Sequence, residues 1–226
     1  TFRWIIEVWE LYSETIYLSL LIAVFCLIIN LFIGVPAAYS LARIGGRTAR
    51  IVEEMIVLPV AIPGLAIALA LIIMYGGFRD FRTSWSFILV GHVLYTLPFM
   101  VRSVLAVLTS TNFKILEEGA ASLGAPFWHR FIYVVLPNAK PGILAGSLMV
   151  ITLSVGEFNL TWMLHTPMTK TLPVGLADSY ASMRLEVASA YTLVFFVMIV
   201  PLLIAMQLLA KSQRQPKKLI QDEDAH

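Results

Sequence analysis

The stretch TIYLSLLIAVFCLIINLFIGVPAAYSLA, residues 15–42, carries no charged side chain. A helix needs about 20 mostly apolar residues to cross a bilayer core, and this run is longer than that. Four further runs resemble it. Residues 55–78 are free of charge, residues 83–108 are interrupted only by Arg102, residues 141–164 hold only Glu157, and residues 187–210 hold none. Each run is continuously apolar, whereas a barrel strand alternates over about 10 residues. The sequence therefore reads as all-α: a polytopic transmembrane helix bundle of five spans, forming a single membrane domain over residues 1–226.

Composition agrees. Hydrophobic residues make up 59% and charged residues 13%, against roughly half and a quarter in soluble domains, and the mean hydropathy is +0.83. A soluble enzyme, a disordered chain and a disulfide-stapled fold are excluded; the one cysteine, Cys26, has no partner for an internal bridge. A net charge of +2 gives no broad basic surface, so no nucleic acid is expected as a partner. Neither Gly45-Gly46 nor Gly76-Gly77 leads into Lys-Ser or Lys-Thr, so the phosphate cradle of a P-loop is missing. His92, His129, His165 and His226 are scattered; no metal site, cofactor or catalytic residue is expected, and His92 and His165 read as making local hydrogen bonds.

Five spans put the ends on opposite sides. One set of connections carries ten basic residues: Arg43, Arg47, Arg50, Lys114, Arg130, Lys140, Lys211, Arg214, Lys217 and Lys218. The other carries five: Arg3, Arg79, Arg82, Lys170 and Arg184. The richer side is expected to be cytoplasmic, which places Thr1 outside, His226 inside, and residues 43–54 and 109–140 in the cytosol. Arg102, near the cytosolic end of its span, reads as snorkelling to the interface. The charged tail, residues 211–226, reads as a solvated end.

Prolines mark bends. Pro36, Pro59, Pro63 and Pro98 all fall inside apolar runs, and each removes an amide donor. Pro59 and Pro63, next to Gly64, are candidates for a kink or moving gate. Gly142 and Gly146, one turn apart, allow close approach of another helix.

The connection 109–140 is long for a turn between helices. Asn112 is placed to cap a helix that carries Leu116, Ala120 and Leu123 at helical spacing, and Gly124 is placed to end it. Ala125-Pro126 opens a second short helix, with Phe127, Trp128, Phe131 and Ile132, which Leu136-Pro137 is expected to end. The expectation is two short helices with a glycine hinge, lying against the membrane face. Glu118-Gly119-Ala120, three residues, Gly124, nine residues, then Val134-Val135-Leu136-Pro137 resembles the EAA loop of permease subunits of binding-protein-dependent ABC importers. That pattern is E-A-A, three residues, G, nine residues, I-x-L-P; this chain has Gly119 for Ala and Val134 for Ile. Residues 36–43, PAAYSLAR, resemble the segment that closes an early helix of the same family.

The resemblance implies a type I importer permease: two permease subunits, identical or homologous, form the pore in the inner membrane. Two ATP-binding-cassette ATPases sit beneath it and supply the hydrolysis. An extracytoplasmic binding protein delivers the solute by alternating access. It implies a further helix upstream of Thr1, six in all, and places Glu118, Gly119, Ala120, Gly124, Leu136 and Pro137 in the ATPase-coupling loop. The outer connection around Thr171-Leu172-Pro173-Val174 and Asp178 resembles the region approaching the second permease and the binding protein.

Within the spans, Glu157 is the strongest pathway candidate, because ionisable groups at membrane depth are costly. The stretch Ser154-Val-Gly-Glu-Phe-Asn159 is similar to an acidic segment in polyamine, ferric-iron and phosphonate importer permeases. Glu157 and Thr161 share a helical face; Asn159 and Trp162 complete the candidate set. A carboxylate beside an aromatic suits an ammonium group, which makes a polyamine the first expected solute, with ferric iron, thiamine or a phosphonate as alternatives. Glu157 could instead pair with Arg102 or cap an unwound turn. An ion-coupled secondary carrier is the rival function, and it would need charges in several spans.

Overall fold

The computed structural model describes residues 3–212; the remainder of the charged tail lies outside the described residues. Among the described residues every regular element is helical. Helix α1 (Arg3–Ile44) is continuous, and its stretch Tyr12–Ile44 is long and apolar enough to span a membrane. Pro36 lies inside α1 and Pro98 inside α5 (Trp85–Ser110), so neither ends its helix. An interrupted backbone ladder is expensive in hydrocarbon, and losing one amide bond costs less than abandoning the helix.

The second apolar run departs from a single span. Gly45 lies between α1 and α2 (Gly46–Ala61), and Gly45 and Gly46, at φ +63° and +70°, turn the chain there. Helix α2 then gives way to α3 (Gly64–Tyr75), and the two axes meet at 98°. Proline disfavours a helical conformation in the residue before it. Ile62 is accordingly extended (φ −92°, ψ 132°) and Pro63 follows at φ −55°, ψ 136°. The expected kink is thus a full break at Pro63, while Pro59 stays within α2. The short α4 (Arg79–Arg82) leads into α5.

Between α5 and the next span lies α6 (Phe113–Ser122). The second short helix does not stop at Leu136-Pro137. Helix α7 (Phe127–Arg130) passes through a π turn, Phe131–Val135, into α8 (Leu136–Gly156), and Phe127–Gly156 is apolar enough to cross as one piece. The wider turn makes room for the proline. The Leu136 N–H bonds back to the Phe131 carbonyl, and the Asn138 amide donates to the Val134 carbonyl at 2.7 Å. At its other end α8 stops at Gly156, short of the expected 164; α9 (Asn159–Leu164) is a separate piece of six residues. Helices α10 (Leu172–Ala181) and α11 (Leu185–Ser212) complete the chain.

The core runs between α1, α5 and α8, around Ile22, Ala38, Met100, Val104, Leu108, Val135, Ala139 and Val150. The small-residue face meets α5. A methyl group on Gly142 would lie 2.6 Å from the Ser103 carbonyl oxygen, and one on Gly146 would lie 2.8 Å from Met100 Sδ. A second cluster joins the start of α1 to α10 and α11 through Val8, Ile16, Leu172, Val187 and Tyr191. Large apolar side chains such as Phe32, Ile73, Phe196 and Val197 stay exposed on the outside, as a lipid- or subunit-facing surface requires.

Candidate functional site

Two places gather the sequence's candidate residues. The first is the break between α8 and α9. Glu157 is extended (φ −71°, ψ 123°), and its carboxylate turns back onto the start of α9. It accepts hydrogen bonds from the Leu160 N–H, the Thr161 N–H and the Thr161 hydroxyl, all at 2.9 Å. These amides have no partner inside the helix, and a negative charge suits that end of the dipole. The opposite end is capped as well: Arg82 donates to the carbonyls of Leu164 (2.7 Å) and Met163 (3.4 Å). An arginine far away in sequence gives no local signal of this role, and the sequence reading missed it.

Thr161 is buried and connects onward. Its oxygen lies 2.8 Å from His92 Nε2, and His92 Nδ1 lies 2.8 Å from Ser154 Oγ. The Thr161 proton is committed to Glu157, so Nε2 carries the hydrogen towards Thr161, and in neutral His92 the Nδ1 atom accepts from Ser154. The bonds of His92 are therefore not local: they tie α5 to both α8 and α9. A neighbouring set ties α5 to α1, with Asn30 Nδ2 donating to Thr96 Oγ1 (3.0 Å) and Thr96 Oγ1 donating to the His92 carbonyl (2.7 Å).

Glu157 and Thr161 come together as the spacing indicates. Asn159 and Trp162 are exposed on other faces of α9, where Trp162 packs against Phe158 and His165. Pro63 and Gly64 arrive beside the same turn: a methyl group on Gly64 would sit 3.6 Å from Glu157 Oε1 and 3.5 Å from the Leu160 nitrogen. The α2–α3 break and the α8–α9 break thus lie side by side. Arg102 takes no part, because its Nε lies 3.3 Å from Glu53 on α2.

The second place is α6. Asn112 stands at its N-cap position without a side-chain capping bond. Its end is a complete Schellman motif: Gly124 N–H to the Ala121 carbonyl, Ala125 N–H to the Ala120 carbonyl, and Gly124 at φ +82°. Only glycine adopts that conformation without strain. The helix is turned differently from the expected face. Phe113 and Glu117 are buried, whereas Ile115, Leu116 and Leu123 are 67%, 51% and 90% exposed. Glu118, Gly119 and Gly124 share the open surface, with nothing within 4 Å of a methyl group placed on either glycine. Leu136 and Pro137 stand apart, inside the continuous α7–α8 helix.

Glu117 is 3% exposed, although its place in the first turns of the helix suggests, as for Glu118, only a match to the helix dipole. Tyr39 at the end of α1 donates to its Oε1 at 2.7 Å, and Arg130 Nη1 and Arg43 Nη1 lie 3.5 and 3.9 Å from the same oxygen. Its spacing of four from Phe113 was the available signal.

Residues 30–215 match the profile of a family described as "Binding-protein-dependent transport system inner membrane component". The "Putative 2-aminoethylphosphonate transport system permease protein PhnV" of Salmonella typhimurium is 28% identical over 200 residues, covering 88% of this chain and 75% of that protein. The "Molybdenum transport system permease protein ModB" of Haemophilus influenzae is 28% identical over 223 residues, covering 91% and 96%. A chain in an inward-facing structure of the MetNI methionine ABC transporter superposes with a TM-score of 0.70 at 17% identity, covering 91% of this chain and 95% of that one.

Proposed function

The chain belongs to the family of binding-protein-dependent transport system inner membrane components, and on that premise we propose that it is the pore subunit of an ATP-driven importer of a small solute. A second permease subunit completes the pore, two ABC ATPases dock beneath it, and an extracytoplasmic binding protein loads it. This chain does no covalent chemistry. The observation that carries the reading is the outward face of α6. Leu116 and Leu123 project from a short helix whose other side is locked to the bundle. An apolar stripe exposed in this way on a membrane protein's aqueous side needs a partner. Glu118, Gly119, Ala120 and Gly124 lie along that helix and its cap, and Leu136 and Pro137 sit behind it as part of the span that it moves. The excess of basic residues in the connections around α6 supports a cytosolic position.

The two adjoining breaks supply the gate. The Pro63 break and the Glu157 break meet, so tilting α2 against α3 shifts the α9 turn. With Glu157 engaged by three donors, the reason for preferring a polyamine weakens. The names of the two relatives point to a phosphonate and to molybdenum, and they support a small oxyanion or phosphonate as the solute. Asn159 and Trp162, on the open faces of α9, are the pathway contacts.

The test is a Leu123→Cys variant co-expressed with the ATPase subunits. Cys26 is buried, so the new thiol is the reactive one. A crosslink from position 123 to the ATPase is expected, and none to a control cysteine at Phe32. Reconstituted complexes are then offered sulfate, molybdate, 2-aminoethylphosphonate and spermidine. Uptake that proceeds without ATPase subunits would move the assignment to an ion-coupled carrier.

A further inference from the structure

Resting on the reading of α6 as the ATPase-docking helix, we propose that Glu117 and Tyr39 form the joint that passes the motion of α6 into α1. Chain connectivity alone links α6 to α5, through Thr111 and Asn112, and to α7, through residues 123–126. Helix α1 is remote in sequence and has no such link. Among the described residues it reaches α6 chiefly through Tyr39, which is 5% exposed and hydrogen-bonded to Glu117 at 2.7 Å, with Arg43 of the same helix 3.9 Å from that carboxylate.

The Tyr39 ring enters an aromatic socket with one wall from each neighbouring element. Phe113 of α6 lies 6.3 Å away, Phe127 of α7 6.2 Å and Phe131 of the π turn 5.4 Å, all between ring centroids. These are tilted or edge-on contacts, the attractive geometry for aromatic pairs. At the bottom of the socket the hydroxyl donates to Glu117 at 2.7 Å and accepts from Arg43 Nη1 at 3.3 Å. Arg130, from α7, closes the cluster at 3.5 Å. One carboxylate therefore holds α1, α6 and α7 at once. A buried charge that loses its partners is strongly unfavourable, so separating α6 from α1 meets a steep penalty, and the two move together.

Glu118, its neighbour, points outward, and the division of labour follows. Glu118 belongs to the surface that the ATPase grips, and Glu117 belongs to the joint behind it. Glu117 is a positioning residue, and its effect is on how much transport each hydrolysis event yields.

The experiment places spin labels at Ser122→Cys on α6 and Ser40→Cys on α1, both exposed positions, in the assembled transporter in proteoliposomes. Distance distributions are recorded without nucleotide and after vanadate trapping with ATP, and radiolabelled sulfate, molybdate and 2-aminoethylphosphonate serve as uptake probes. In the native joint the distribution is expected to stay narrow and unmoved between the two states. In Glu117→Ala it is expected to broaden on trapping, and uptake per ATP hydrolysed is expected to fall about five-fold or more while ATP hydrolysis persists. Glu117→Gln keeps an acceptor for Tyr39 and is expected to recover part of the loss. Tyr39→Phe, which keeps the ring in its socket, gives a smaller loss and decides the matter if Glu117→Ala does not insert. Unchanged distances and unchanged uptake per ATP in these variants would overturn the joint. A complex in which position 123 never meets an ATPase would overturn the docking reading instead, and the nucleotide-free distances would still report whether Glu117 holds α6 to α1.

Discussion

Glu157 shows how one side chain can be read in two ways. An acidic residue late in an apolar run suggests a cation site, and its environment in the fold is a helix cap. Both carboxylate oxygens already accept hydrogen bonds from α9. Losing a cap costs about 0.5–2 kcal/mol. Glu157→Ala is therefore expected to lower the melting temperature of the detergent-solubilised complex, by about 1–2 kcal/mol in stability. Uptake per assembled complex should fall less than the yield of assembled complex. A full yield with abolished uptake would return Glu157 to the solute pathway. His92 belongs to the same argument. His92→Ala removes bonds to Ser154 and Thr161, and interhelical hydrogen bonds in membrane proteins are worth about 0.6 kcal/mol each, up to about 1.7. A loss of about 1–2 kcal/mol in denaturant titrations is expected.

At the scale of elements, glycine positions separate cleanly by their surroundings. Gly119 sits inside α6 with open space around it, so Gly119→Ala is expected to stabilise that helix by about 1 kcal/mol. Gly124 is only five residues on, but its φ of +82° makes Gly124→Ala unfavourable by about 1 kcal/mol or more. Hydrogen exchange of the α6 amides should slow in the first variant and quicken in the second. Gly142 is limited by neither propensity nor φ but by contact. A methyl group there would sit against the Ser103 carbonyl oxygen, which is backbone and cannot swing away. Gly142→Val should cost about 1–3 kcal/mol through forced separation of α5 and α8, read as a drop in melting temperature.

Across the whole molecule, the α2–α3 and α8–α9 breaks meet, and α6 is clamped to the end of α1. This arrangement is suited to rigid-body rocking. A charge reversal on the face of α6 that we propose meets the ATPase, Glu118→Lys, leaves the Glu117–Tyr39 contact intact and should let the protein insert and assemble while ATP hydrolysis and uptake fall out of step. Coupled uptake at the native ratio in that variant would remove Glu118 from the contact.

The apolar runs determine the membrane architecture by themselves, because continuous hydrophobicity over a bilayer's thickness has few other physical outcomes. The spacing of Glu118, Gly124 and Leu136-Pro137 was likewise sufficient to suggest the family, and the prolines marked where the apolar runs can bend, although of Pro36, Pro59, Pro63 and Pro98 only Pro63 breaks its helix. Tertiary structure decided the rest. Whether Glu157 faces a solute or its own helix depends on where α8 stops, and the ends of α9 are satisfied by Glu157 and by Arg82, the latter from a remote segment. Which of two adjacent glutamates is buried depends on the rotation of α6, and that rotation is set by Tyr39 and Arg130 arriving from other helices. Periodicity along one segment reports a face, but the partner that covers it comes from elsewhere in the chain.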